Sequence, residues 1–202
     1  MRKIIAFTTV LLASLSLFAI DHLNVGARMS VDISLFDVRA GDYDADMKPD
    51  AGIGVNVFAN IDFKNGFCLQ PEIGFHHHKI MGKFKNGDAE GHYKTLDVIA
   101  LAAYRYDLSK YVFLQPAIGP RVSATLNEMN GDPVFDYGLL YYANFGIDIG
   151  LTLGINAGPG AALVDFRFEN DFTKFVADTD NKLELGIGRS VYISLGYQVK
   201  IK

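Results

Sequence analysis

Apolar and polar side chains alternate with period two along most of this chain. Over 190–201, Val191, Ile193, Leu195, Tyr197, Val199 and Ile201 fall on one face, with Ser190, Tyr192, Ser194, Gly196, Gln198 and Lys200 on the other. Over 23–35, Leu23, Val25, Ala27, Met29, Val31, Ile33 and Leu35 oppose Asn24, Gly26, Arg28, Ser30, Asp32 and Ser34. Period two marks a strand with one face against an apolar medium. The pattern predicts eight strands, at about 22–36, 52–64, 67–79, 93–106, 111–126, 138–155, 160–170 and 184–201. These exceed the usual roughly 5–6 residues and reach the roughly 9–11 that a tilted strand needs to cross a bilayer. Segment 93–106 alternates poorly, because Ile99 and Leu101 share the face of Asp97 and Arg105. Segment 138–155 is long enough to hide a hinge, which leaves ten shorter strands as a variant.

The connections also alternate. Lys64-Asn65-Gly66, Asp107-Leu108-Ser109-Lys110 and Asn156-Ala157-Gly158-Pro159 are short; 37–51, 80–92, 127–137 and 171–183 are long and rich in Asp, Lys, Asn and Gly. Asn-Gly is a strong tight-hairpin signal. Short turns on one side and longer loops on the other are the habit of transmembrane barrels, whose short turns face the periplasm. Leu69-Gln70-Pro71-Glu72-Ile73-Gly74 recurs as Leu114-Gln115-Pro116-Ala117-Ile118-Gly119, each copy just after a short turn. A proline within a strand removes a ladder hydrogen bond, so the repeat predicts a shared bulge or bend.

The first residues break the pattern. Arg2 and Lys3 precede an apolar run over 4–19, which Asp21 and His22 end. That is a secretory signal peptide over 1–19, too short for a comfortable membrane helix, followed by one domain over 20–202. Net charge is −4, and −6 without Arg2 and Lys3, so no nucleic-acid partner is expected. The single cysteine, Cys68, excludes an internal disulfide. With no second long apolar run, a membrane location demands a closed barrel, since lipid offers no partner for open strand edges.

Alternation alone does not separate a membrane barrel from a soluble calyx. The polar face is mostly Gly, Ser, Asn, Thr and Gln, not the Lys and Glu of a water-facing wall. Its isolated charges, Arg28, Asp32, Glu72, Asp97, Arg105, Arg121, Asp148, Asp165, Arg167 and Glu169, suit a narrow lumen where charges survive by pairing. They read as a packed charge network, or alternatively as a narrow ion pathway. Phe63, Phe67, Tyr104, Tyr106 and Tyr197 fall on the apolar face near the short turns, as an interfacial girdle does. In His76-His77-His78, His76 and His78 share the polar face with Glu72, a minor candidate Zn or Cu site that His92 could approach across the hairpin. His76, His78 and His92 with Ser123 or Asp88 could form a catalytic set on paper, but no nucleophile-elbow or metal-hydrolase motif is present. In loop 37–51, Asp37, Asp42, Asp44, Asp46 and Asp50 read as a solvated surface that could meet a cation or a basic partner.

The "LQPEIGF" run over 69–75, the stretch Gly158-Pro159-Gly160-Ala161-Ala162-Leu163-Val164-Asp165-Phe166-Arg167-Phe168, and Ile193-Ser194-Leu195-Gly196-Tyr197 resemble the PorT-like outer-membrane protein β-barrel family. The resemblance spans essentially all of 20–202 and implies an eight-stranded barrel, but little about activity. The expectation is therefore an all-β protein: a single eight-stranded antiparallel up-and-down transmembrane β-barrel of the bacterial outer membrane. It is expected to be exported through a cleaved signal peptide, non-enzymatic, monomeric and free of cofactors. Outer-membrane lipid and the barrel-assembly machinery are its expected partners. Its role would be structural, in surface contact, or in limited small-solute passage. The alternatives are an outer-membrane lipid-modifying enzyme and a soluble periplasmic lipocalin-like carrier of an apolar ligand.

Overall fold

A computed structural model of the chain describes residues 20–40, 46–48, 50–84, 87–126, 130–131, 143–176 and 183–201. The expected signal peptide over 1–19 lies outside them. So do Asp42 and Asp44, most of loop 127–137, and the start of the sixth predicted segment.

Eight long strands form: β1 (Ile20–Ala40), β2 (Asp50–Phe63), β3 (Phe67–Phe84), β4 (Gly87–Tyr104), β5 (Val112–Thr125), β6 (Ala143–Ala157), β7 (Gly160–Val176) and β8 (Leu183–Lys200). Each pairs antiparallel with the next, and β8 returns to β1, so the sheet closes on itself. Short pieces at Asp46–Lys48, Tyr106–Asp107 and Asn130–Gly131 add to β3, β5 and β4. Segment β6 runs unbroken, which settles eight strands over ten.

The stagger can be followed residue by residue. Starting at Leu23, ladder partners lead through Ile61, Leu69, Ala102, Ile118, Ile149, Phe168 and Val191 back to β1 at Ile33, ten residues further along. A shear of that size for eight strands tilts them steeply and leaves an interior just wide enough for side chains.

Polarity is inverted relative to a soluble protein. Met29 is 70% exposed, Ile53 66% and Leu195 66%, while Asp32, Asp97 and Asp148 are fully buried. Apolar side chains face outward and polar ones inward, the opposite of a calyx that carries an apolar ligand, so the soluble-carrier alternative falls. Phe67 and Tyr104 meet edge-on at 5.3 Å beside the β2–β3 turn, and the Tyr197 hydroxyl donates to the Ala157 carbonyl at 2.7 Å. The turn itself needs Gly66, whose φ of 84° lies in the left-handed region.

Two expectations need correction. The stretch 80–92 is not a long loop: β3 and β4 stay in register out to Phe84 opposite Gly87, so most of it is a paired hairpin. The repeated Leu-Gln-Pro does not make a bulge. The β2–β3 ladder skips 59–60 opposite 70–71, yet Phe58–Glu72 and Ile61–Leu69 keep one register. Around Pro116, Ala103–Ala117 and Tyr106–Leu114 likewise keep one register. Each proline leaves a gap in the hydrogen bonding without shifting the strand.

Candidate functional site

The interior is layered from the short-turn end upward. The mouth there is a basin of about 620 Å³ whose wall includes Asp21, His22, Lys64, Asp107 and Lys200. Above it lies a belt of amides: Asn24 Nδ2 donates to Asp62 at 2.8 Å, Asn60 Nδ2 to Gln198 at 2.8 Å, and Gln115 Nε2 to Gln70 at 3.0 Å.

Apolar side chains fill the same half of the lumen. Phe58, Phe113, Ala161 and Leu163 form one buried cluster, and Cys68, Ile99, Leu101, Ala103 and Ala117 another. Inward glycines make room for them: a Cβ on Gly154 would collide with the Phe113 ring, and one on Gly26 with Phe58. This is the small-against-large filling of a narrow barrel. It also explains the poor alternation of β4, whose Ile99 and Leu101 face the lumen. Sequence reasoning missed this layer; its signal was that lapse of alternation, together with the inward parity of Phe58 and Phe113.

The middle is ionic and centres on Glu72. Its carboxylate accepts from Arg28 at 2.7 Å, Arg167 at 3.0 Å, Asn56 at 2.7 Å and Gln70 at 3.1 Å. Arg28 also reaches Asp165 at 2.7 Å, and Arg167 reaches Asp165 at 3.3 Å and Asp148 at 3.6 Å. Thr152 donates to Asp165 at 2.6 Å. The Arg28 guanidinium lies 4.5 Å over the Phe58 ring, which joins the ionic layer to the apolar one. Nearer the loop side, Arg121 gathers Asp148 at 3.3 Å, Glu169 at 3.5 Å, Asp97 at 3.6 Å, and Asp171. Asp32 pairs with His78 Nδ1 at 2.9 Å. Among the described residues, three guanidiniums thus face seven carboxyl groups in this half of the lumen, which His76 and His78 border. Beside Arg121 lies a crevice of about 20 Å³, bordered by His78, Tyr93, Asn144 and Glu169. That is room for about one water.

Nine of the ten charges singled out in the sequence therefore occupy one connected interior. Arg105 does not. Pairing stops at Arg105, and its side chain lies at the basin, bound to Asp107 at 2.9 Å and stacked 3.8 Å over the Phe113 ring. It keeps the inward parity of Asp97 but lies at the short-turn mouth, far below Asp97 along the barrel axis.

His76 and His78 do share the inward face, stacked with centroids 5.8 Å apart. Each is matched to a carboxylate, His78 to Asp32 and His76 to Asp97 at 3.5 Å. Among the described residues no group of three His, Cys, Asp or Glu side chains is arranged to hold a metal ion. His92 cannot join them, because it lies on the outward face of β4, where it meets His77. The same parting separates His92 from Ser123, which is buried inside.

A closed eight-stranded wall, an outward apolar band and a charge-paired interior define an integral membrane β-barrel. The chain belongs to the outer membrane protein beta-barrel domain family, whose model matches residues 18–200. That family places it in the bacterial outer membrane. Among solved structures it is similar to the outer membrane protein OprG from Pseudomonas aeruginosa, at 11% identity over 88% of this chain and 95% of that one, with a TM-score of 0.62. It is also similar to Neisserial surface protein A, at 13% identity over 88% and 96% of the two chains, with a TM-score of 0.52. At such identities the likeness is one of fold alone. No curated protein matches the sequence.

Proposed function

We propose that the protein is a non-enzymatic, monomeric outer-membrane barrel with a closed lumen, serving envelope structure and surface contact through its loop side. The supporting observation is the filled interior: Phe113, Leu101, Asp97 and Asp148 are inaccessible to water, so packed side chains block the axis twice, once by apolar groups and once by ion pairs. The separation of His92 from Ser123, across opposite faces of the wall, removes one arm of the catalytic set; His78 and Ser123 border one crevice, which has room for about one water. Within its family, the chain falls in the PorT-like branch by its Leu-Gln-Pro-Glu-Ile-Gly-Phe run. Residues 1–19 act as a cleaved export signal, and the barrel-assembly machinery inserts the chain.

The test is single-channel recording of the refolded protein in a planar bilayer. Stable insertion without conductance steps is expected. Steady, reproducible steps would overturn the closed lumen and make Arg121, Arg167 and Asp148 candidate pathway residues.

A further inference from the structure

The lipid-facing wall is not smooth. From β8 across to β4 it sinks into a depression of about 840 Å³. The floor is made of small groups: Ala59, Pro71 and Ala100 stand side by side on β2, β3 and β4, all with outward parity. Ile73 and Val98 wall it on the loop side, and Tyr197 bounds it on β8.

This floor is polar at one point. The register that joins Phe58 to Glu72 and Ile61 to Leu69 sets Ala59 opposite Pro71. Pro71 remains paired with Ala100 on β4, so the N–H it lacks is the one that would have served β2. The Ala59 carbonyl therefore has no ladder donor. The inward amides beside it are engaged elsewhere: Asn60 Nδ2 donates to Gln198 at 2.8 Å, and Gln70 Nε2 to Glu72 at 3.1 Å. Ala59 and Pro71 both line the depression, so this gap in the ladder opens on the lipid side. The matching gap, at Pro120 opposite Ala100, faces β5 and lies outside it.

The depth is fixed by the strands. Ala59 is four residues from Phe63, Pro71 four from Phe67 and Ala100 four from Tyr104, all rings of the short-turn girdle. At about 3.3 Å per residue and a tilt of about 40°, the floor lies about 10 Å inside that girdle, within the apolar band. Headgroups do not reach this depth, and no water serves a carbonyl there. A donor must arrive on an acyl chain.

We propose that the depression binds a lipid of the short-turn leaflet whose acyl chain carries a mid-chain hydroxyl, which donates to the Ala59 carbonyl. The proposal rests on the membrane reading above. The small floor seats the chain, and the carbonyl selects the hydroxylated one, because hydrocarbon offers that oxygen no substitute donor. A plain chain fills the same hollow and leaves the oxygen unpaired.

The experiment is native mass spectrometry of the full chain refolded in non-ionic detergent. It is titrated with three phosphatidylethanolamines that differ in one acyl chain: plain stearoyl, stearoyl hydroxylated at mid-chain, and stearoyl hydroxylated next to the ester. The mid-chain alcohol is expected to bind about fivefold more tightly than the plain lipid, the worth of one net hydrogen bond. The ester-proximal alcohol gains nothing. Pro71→Ala gives the carbonyl its N–H, and should remove the preference while plain-lipid affinity stays. Pro120→Ala installs the same amide outside the depression and keeps the preference. Ala59→Leu fills the floor and weakens all three lipids. Equal affinity for the plain and mid-chain lipids, an ester-proximal hydroxyl as good as a mid-chain one, or a preference that survives Pro71→Ala overturns the site. A dimer that Ala59→Leu disperses places a second copy on this surface and overturns lipid as its occupant. Insertion into vesicles is scored separately by heat-modifiable migration. A wild-type chain that never inserts overturns the membrane reading and this site with it, a result distinct from an inserted barrel indifferent to the hydroxyl.

Discussion

Glu72 shows how a charge survives inside this wall. It is buried, yet two guanidiniums and two amides donate to it, so its lone pairs are fully engaged. Glu72→Ala leaves Arg28 and Arg167 buried with fewer partners, and stability should fall by about 3–5 kcal/mol, read as a lower urea midpoint for the barrel folded in vesicles. Because the penalty belongs to the stranded cations, the double variant Glu72→Leu, Arg28→Met should recover most of it, since Arg167 keeps Asp165 and Asp148. The apolar layer obeys volume instead of charge. Gly154→Val pushes into the Phe113 ring and should cost about 1–3 kcal/mol. Phe113→Ala in the same chain should return part of that loss, and two additive penalties would show that the glycine is not there to seat the ring.

At the scale of strands, the ladder has uneven seams. The β3–β4 hairpin is continuously paired from Phe67–Tyr104 to Phe84–Gly87, but the ladders flanking it are interrupted beside Pro71, Pro116 and Pro120. Pro71→Ala should install the missing amide, and that new amide should exchange slowly with solvent while its seam tightens. Global stability should barely move, because one net hydrogen bond of about 1 kcal/mol is offset by the added freedom of the unfolded chain. Fast exchange at the new amide would mean that the gap has another cause. These seams also show what the sequence could and could not convey. The strands other than β4 were legible from period-two alternation, because a bilayer on one face and a polar lumen on the other impose opposite demands on neighbouring residues; in β4 the inward Ile99 and Leu101 blur it. The hairpin tip was misread as a loop, since Lys, Asn, Gly and Asp outside the membrane obey no such demand even when paired. Nine interior charges could be placed by parity, but which Arg meets which carboxylate depends on shear, and no local pattern encodes shear. Arg105 does face inward as parity has it, but it meets neither Asp97 nor Asp148, because parity says nothing of height along the barrel axis.

For the whole molecule, outward exposure has a meaning that buffer would not give it. Ile193 is 53% exposed in the middle of the band, and an exposed position on a soluble protein tolerates arginine at little cost. In a membrane the same substitution, Ile193→Arg, should cost about 2–4 kcal/mol, against about 0–1 for Val199→Arg near the rim, measured as folding equilibria into lipid vesicles. Equal costs at both depths would contradict the bilayer position of the band. The seam between β1 and β8 carries a further consequence. It joins Asn24 to Lys200, so the ring shuts only when residues from opposite ends of the domain meet. Until then both terminal strands present bare edges that neither water-free lipid nor the polar interior can satisfy. Partially built sheets are therefore poor resting states, and such distant pairing makes completion slow. For such a chain the hazardous interval is its transit, while its bare edges stay open to those of a neighbour.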